Sequence, residues 1–207
     1  MPLQNRVTPL GELVPGPGRG LVFGNRGRLH DAAGRIRRPY DGKRWIACRL
    51  SFRGRKRPLM EPGRYTALFF LDEATALAAG HRPCAECRHE DYVRFSAIWS
   101  RLHAGEGTAG AIDARLHAER LRPHRAAAID ELPDGAFVLF RGVPHVVCWD
   151  RLLRWSPGGY AEAVTPRGSA TAPVITPPSL IEVLRTGWSS SLPLLHPSAF
   201  TPSKGSP

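Results

Sequence analysis

Cysteine, methionine and acidic residues are scarce in this 207-residue chain, which has four Cys, two Met, and 18 Asp and Glu against 29 Lys and Arg. Cys48, Cys84, Cys87 and Cys148 are unevenly spaced and too few for a disulfide-built scaffold, and a chain of this length can bury a core without one. No apolar run approaches the roughly 18 residues needed to cross a bilayer, and no charged-then-apolar leader follows Met1. A cytoplasmic, thiol-reducing setting with no membrane partner is therefore expected. In that setting a close Cys pair more often binds metal or does chemistry than forms a structural disulfide.

The shortage of acid leaves a formal charge of +11 and a pI near 10.5, which favours a polyanionic partner such as nucleic acid. The surplus is nearly all Arg, in a chain also rich in Ala, Gly and Pro, a bias that nucleotide composition alone can produce. The basic residues are nonetheless clustered. Arg53, Arg55, Lys56 and Arg57 share one loop, and Arg82 and Arg88 flank a Cys pair, so these six are the expected phosphate contacts.

Familiar catalytic signatures are missing as well. There is no GxSxG, Walker A or HExxH, and "GPGRG" at 16–20 lacks Rossmann spacing and an upstream strand. The eight histidines are scattered, and a lone one such as His145 is more often structural than a ligand.

The chain reads as α+β. Residues 1–43, punctuated by Pro and Gly, predict an irregular basic arm whose one strand candidate is 21–23. Residues 44–122 predict a lobe with strands over 44–52 and 64–71, pairing antiparallel across the basic loop. A short helix follows, N-capped by Asp72 and ended by Gly80, and then a helix over 87–103 with Tyr92, Phe95, Trp99 and Leu102 on one stripe. A further helix is predicted over 112–121. Residues 123–188 predict a small antiparallel β-meander lobe, closed by a helix that Thr176 caps and Gly187 ends. Residues 189–207, with four prolines, predict a poorly ordered tail.

"GHRPCAECR" at 80–88 carries the chemistry. A redox CxxC belongs at a helix N-terminus directly after a strand, whereas here a helix and its Gly cap precede the pair. A zinc deaminase pairs H-x-E with P-C-x-x-C, and His117-Ala118-Glu119 with Pro83–Cys87 supplies both, but in reversed order. His117 and Glu119 also fall two apart on a predicted helix, pointing about 200° apart. A zinc site fits better, because CxxC is half of a tetrahedral thiolate set.

The run 69–91, "FFLDEATALAAGHRPCAECRHED", resembles the N-terminal metal-binding domain of the bacterial Ada DNA-repair methyltransferase family. Phe69, Glu73, Ala74, Gly80, Arg82, Pro83, Cys84 and Cys87 match its pattern, and "WIACR" at 45–49 stands where that family has its first Cys followed by Arg. The likeness covers about residues 44–91, under a quarter of the chain. It departs at one ligand, because Phe52 stands four residues after Cys48 where a second Cys belongs.

The resemblance implies a zinc-knuckle lobe in which Cys48, Cys84 and Cys87 hold zinc, with Cys48 aligned to the thiolate that accepts a methyl group from DNA. It points to nucleic-acid contact, linked to alkylation repair or its regulation. The Cys48 sulfur is then expected within about 4 Å of both knuckle sulfurs. The alternative for Cys48 is a small apolar residue buried on a strand. A fourth ligand is open among His30, His81, His89, Asp91, Cys148 and water. An enzyme of another kind, with a pocket between the lobes lined by His30, Arg38, His81 and Asp113, is the competing reading.

Overall fold

The structure is a computed structural model that describes residues 2–18, 20–54, 59–166 and 170–201. Its strands and helices are β1 (Gln4–Val7), β2 (Leu13–Pro15), β3 (Val22–Asn25), β4 (Ile46–Cys48), β5 (Leu68–Phe70), α1 (Glu73–Ala78), β6 (Arg82–Pro83), α2 (His89–Leu102) and α3 (Ala109–Arg120). There follow β7 (Ala126–Ala128), β8 (Phe137–Phe140), β9 (Val143–Cys148), β10 (Arg151–Ser156), β11 (Gly159–Val164), β12 (Thr171–Pro173) and α4 (Pro178–Arg185). The fold is mixed α+β and consistent with two lobes. One holds a six-stranded mixed sheet ordered β2-β1-β5-β3-β4-β6, and the other a four-stranded antiparallel meander ordered β11-β10-β9-β8; β7 and β12 form a separate two-stranded ribbon.

The first 43 residues are no arm. They supply β1, β2 and β3 to the large sheet, and β3 lies between β4 and β5 and pairs antiparallel with both. The expected direct pairing of 44–52 with 64–71 is corrected accordingly. Gly24 makes the insertion possible, because a Cβ there would collide with the Ile46 carbonyl and come 2.9 Å from the Phe70 ring. β6 joins the far edge, parallel to β4.

The meander follows its turn signals. Arg141 and Gly142 both have positive φ between β8 and β9, the geometry of a type I′ hairpin.

Helix α1 is six residues long and buried on every side. Ala76 and Ala79 pack with Val22, Ala47, Leu68 and Phe70 of the large sheet, Leu77 with Phe95, Trp99 and Leu116, and Ala74 and Ala78 with Phe137, Val146 and Trp155 of the meander. Small side chains all round let three layers approach one helix, which explains its alanine content. Asp72 caps it as expected, accepting from Thr75 N–H at 2.9 Å, and Gly80 follows at φ +76.

The segment after residue 188 is also corrected. As far as residue 201 it packs back on the body, where Ser191 bonds Asp91 and Ser190 bonds Glu73. Thr176 does not cap α4. Its hydroxyl accepts from Phe137 N–H at 2.9 Å, and the N-cap position is Pro177. No helix among the described residues is long and apolar enough to cross a membrane.

Candidate metal centre

The register of β4 and β6 builds the site. Arg82 N–H donates to Trp45 C=O at 3.2 Å and Cys84 N–H to Ala47 C=O at 2.9 Å, which sets Cys84 beside Cys48 at the ends of two parallel strands. The chain then turns, with Arg88 N–H donating to Cys84 C=O at 3.1 Å, and Cys87 comes round to the same point. The three sulfurs lie within 4.8 Å of one another, the only such cluster among the described residues. Tetrahedral zinc with bonds of roughly 2.3 Å needs sulfurs about 3.8 Å apart, within about 1 Å of the spacing found here.

The electrostatics favour one thiolate, at Cys84, while the neighbouring sulfurs and burial push the Cys48 and Cys87 thiols up. Hydrogen bonds from the Cys48 and Cys87 thiols, joined by the backbone N–H groups of Glu86 and Cys87, push the Cys84 thiol down to about 2 against the opposing effect of burial. Arg49 N–H points at Cys87 Sγ, 3.4 Å away. Amides aimed at sulfur stabilise negative charge there, as a metal-ligating cysteine requires. Cys48 and Cys84 are buried and Cys87 is half-buried.

The cysteines open on a cleft of about 1170 Å³, where Phe52, Arg44, Arg49 and Arg82 also contribute lining. Phe52 borders the same cleft as the sulfurs. None of the five side-chain candidates for a fourth ligand joins the cluster. His30 bonds Thr66 Oγ1 and Glu61 C=O, His89 bonds Ala85 C=O, and Asp91 accepts from Arg88. His81 is packed between Trp45 and Phe70, and Cys148 belongs to the core beneath the meander.

No known family, characterised protein or solved structure matches this chain.

Two of the six expected phosphate contacts are corrected by burial. Arg82 is 2% exposed and grips Asp113 through Nε at 2.8 Å and Nη2 at 2.9 Å. Arg88 is 1% exposed and bonds Glu73 at 2.5 Å and Asp91 at 2.8 Å. Both have their charge answered inside the protein and present none to a ligand. Arg53 is exposed, with its guanidinium over the Phe52 ring. Arg55, Lys56 and Arg57 lie outside the described residues. Exposed Lys43, Arg44 and Arg49 along the cleft were missed as candidates. Their proximity to Cys48 in the chain was the available signal.

The four residues of the competing enzyme pocket do not converge. Arg38 pairs with Asp41 at the surface, Asp113 is held by Arg82, and His30 and His81 are engaged with the partners named above.

Proposed function

We propose that Cys48, Cys84 and Cys87 hold a zinc ion, and that the basic rim around this centre contacts nucleic acid. The convergence of three sulfurs from two sequence-distant segments, without a disulfide, carries the reading. Three thiolates suit zinc over harder ions, because soft sulfur ligands select it from magnesium or calcium. Bound there, the ion would keep its ligands deprotonated and leave one tetrahedral position for water or a substrate atom.

The chain's own residues supply the rest. Amides of Glu86, Cys87 and Arg49 orient the sulfurs. Exposed Lys43, Arg44 and Arg49 line the cleft, with exposed Arg53 next to its Phe52, and none of the four has an ion pair among the described residues; phosphate neutralisation there would release counterions. The acceptor role that the Ada resemblance implies for Cys48 needs a reachable sulfur. Cys48 is 7% exposed, and Cys87 is the more open of the three. Metal holding and nucleic-acid contact, rather than alkyl transfer, are what these positions favour.

The test has two parts. Elemental analysis of reduced, purified protein should find close to one zinc per chain, and fluorescence anisotropy with random DNA and RNA should show binding that weakens steeply with salt. Protein free of metal, with its cysteines freely titratable, removes the first half of the proposal, and salt-insensitive or absent binding removes the second.

A further inference from the structure

Trp45 carries two cations against its ring. The guanidinium carbons of Arg26 and Arg120 lie 4.2 and 4.0 Å from its ring centroid, and the His81 ring is centred 5.0 Å away. Arg26 follows β3 and is 1% exposed. Its Nη1 donates to Gly11 C=O at 2.9 Å, while Nε and Nη2 are buried with no hydrogen-bond partner. Arg120, at the end of α3, donates to Gly80 C=O at 2.7 Å and Lys43 C=O at 3.0 Å, and its Nε is likewise unpartnered.

Elsewhere in the molecule the same Nε–Nη2 edge holds a carboxylate, Asp113 on Arg82 and Glu106 on Arg115. Among the described residues, neither Arg26 nor Arg120 has a carboxylate within ion-pair distance; Asp113 and Glu119 act on Arg120 only at longer range. Burial pulls Arg26 down to about 9, aided by the charge of Arg120, and burial pulls Arg120 to about 10. A buried and a half-buried guanidinium that share the Trp45 ring, with no ion-paired carboxylate among the described residues, carry an electrostatic cost that an anion would relieve.

Both arginines and Trp45 line a cleft of about 820 Å³, within the range of small-molecule sites and sharing no lining residue with the metal cleft. Its acids are engaged elsewhere: Glu119 with Ser179, Glu182 with His103, and Glu12 with Thr8.

We propose that this cleft binds the phosphate group of a small molecule, held by Arg26 and Arg120 beside Trp45. Two positive charges match the dianion of a phosphate monoester better than a single carboxylate. Three unpartnered nitrogens, two on Arg26 and one on Arg120, offer N–H donors to the three terminal oxygens such a group presents. Buried Arg26 beside half-buried Arg120 in a cleft of this size suits a small ligand rather than the backbone of a duplex, which meets cations at the surface.

Calorimetric titration of the full, metal-loaded chain with inorganic phosphate and with glycerol phosphate tests this, with malonate and chloride as controls at matched ionic strength. Saturable phosphate binding is expected, weakened about ten- to hundredfold in Arg26→Met and in Arg120→Gln. Arg120→Gln decides the matter if Arg26→Met does not fold. Absence of saturable phosphate binding, malonate binding without phosphate binding, or unchanged affinity in Arg120→Gln would each overturn the assignment.

Discussion

Arg82 and Asp113 meet in two parallel hydrogen bonds of 2.8 and 2.9 Å, both residues buried, and so tie the strand that enters the cysteine knuckle to helix α3. Removing one partner strands the other's charge away from water. Asp113→Ala should cost about 3–5 kcal/mol in denaturant unfolding, the range for breaking a buried pair. Arg82→Lys should fail to restore normal stability, because an ammonium cannot reproduce the two-pronged contact. A destabilisation below about 1 kcal/mol in Asp113→Ala, the level of an exposed pair, would show the contact to be open to solvent.

Metal content should depend on three cysteines and not the fourth. Cys84→Ser is expected to lose zinc and melt at lower temperature, since binding energy gained only by the folded state is folding energy. Cys148→Ala should retain full zinc occupancy, as that thiol sits in the core under the meander. Elemental analysis of the two variants side by side distinguishes these outcomes, and zinc loss in Cys148→Ala contradicts the three-sulfur centre.

Replacing Arg44, Arg49 and Arg53 together should weaken nucleic-acid binding evenly across sequences. The logarithmic salt slope on a duplex should shrink by about 0.9 for each phosphate that the variant no longer neutralises. The same measurement on the triple replacement of Arg55, Lys56 and Arg57 locates the rest of the interface. Unchanged slopes in both would move the interface away from this rim.

His81 gives the fold a pH dependence. Burial first, and then the charges of Arg26 and Arg120, hold its pKa well below the ordinary 6.5. The unfolded chain therefore takes up a proton near pH 6.5 that the folded chain refuses, and stability falls as pH drops below that point. His81→Phe, which keeps a ring between Trp45 and Phe70, should flatten the decline. Melting curves of both proteins in phosphate-free buffer from pH 7.5 to 5 measure it, and parallel declines would assign the effect to other groups.

Legibility in the sequence tracked the range of the interactions. Helix α1 announced itself because its cap, Asp72, and its terminator, Gly80, act within a few residues, and the meander because hairpin turns are local. β3 was legible in part as the candidate at 21–23, whereas β1 and β2 were not, since strands of three or four residues between Pro and Gly show no periodicity; what defines them is pairing across the sheet. Thr176 looked like a cap by residue type, yet its hydroxyl serves Phe137, 39 positions away. Of the three clustered cysteines, Cys84 and Cys87 were readable from one short motif, and Cys48 only through the resemblance to the Ada family. Arg82 and Arg88 misled because charge is visible in a sequence and burial is not, although Asp91 three residues beyond Arg88 hinted at its partner. Arg26 and Arg120 meet at Trp45 across 94 positions, and nothing local marks them.

Helix α1 bears on modularity. Cutting the chain after residue 122 would leave every cysteine of the metal centre in place, but Ala74, Ala78 and Leu77 would be stripped of the meander and α4 that cover them. A helix of six residues cannot hold its shape unaided, and the chain leaving it forms the strand that aligns Cys84 with Cys48. The knuckle is thus not a part that could be transplanted by copying its motif. Whatever chemistry it performs is inherited together with the lobe on the other side of one turn and a half of alanine-rich helix.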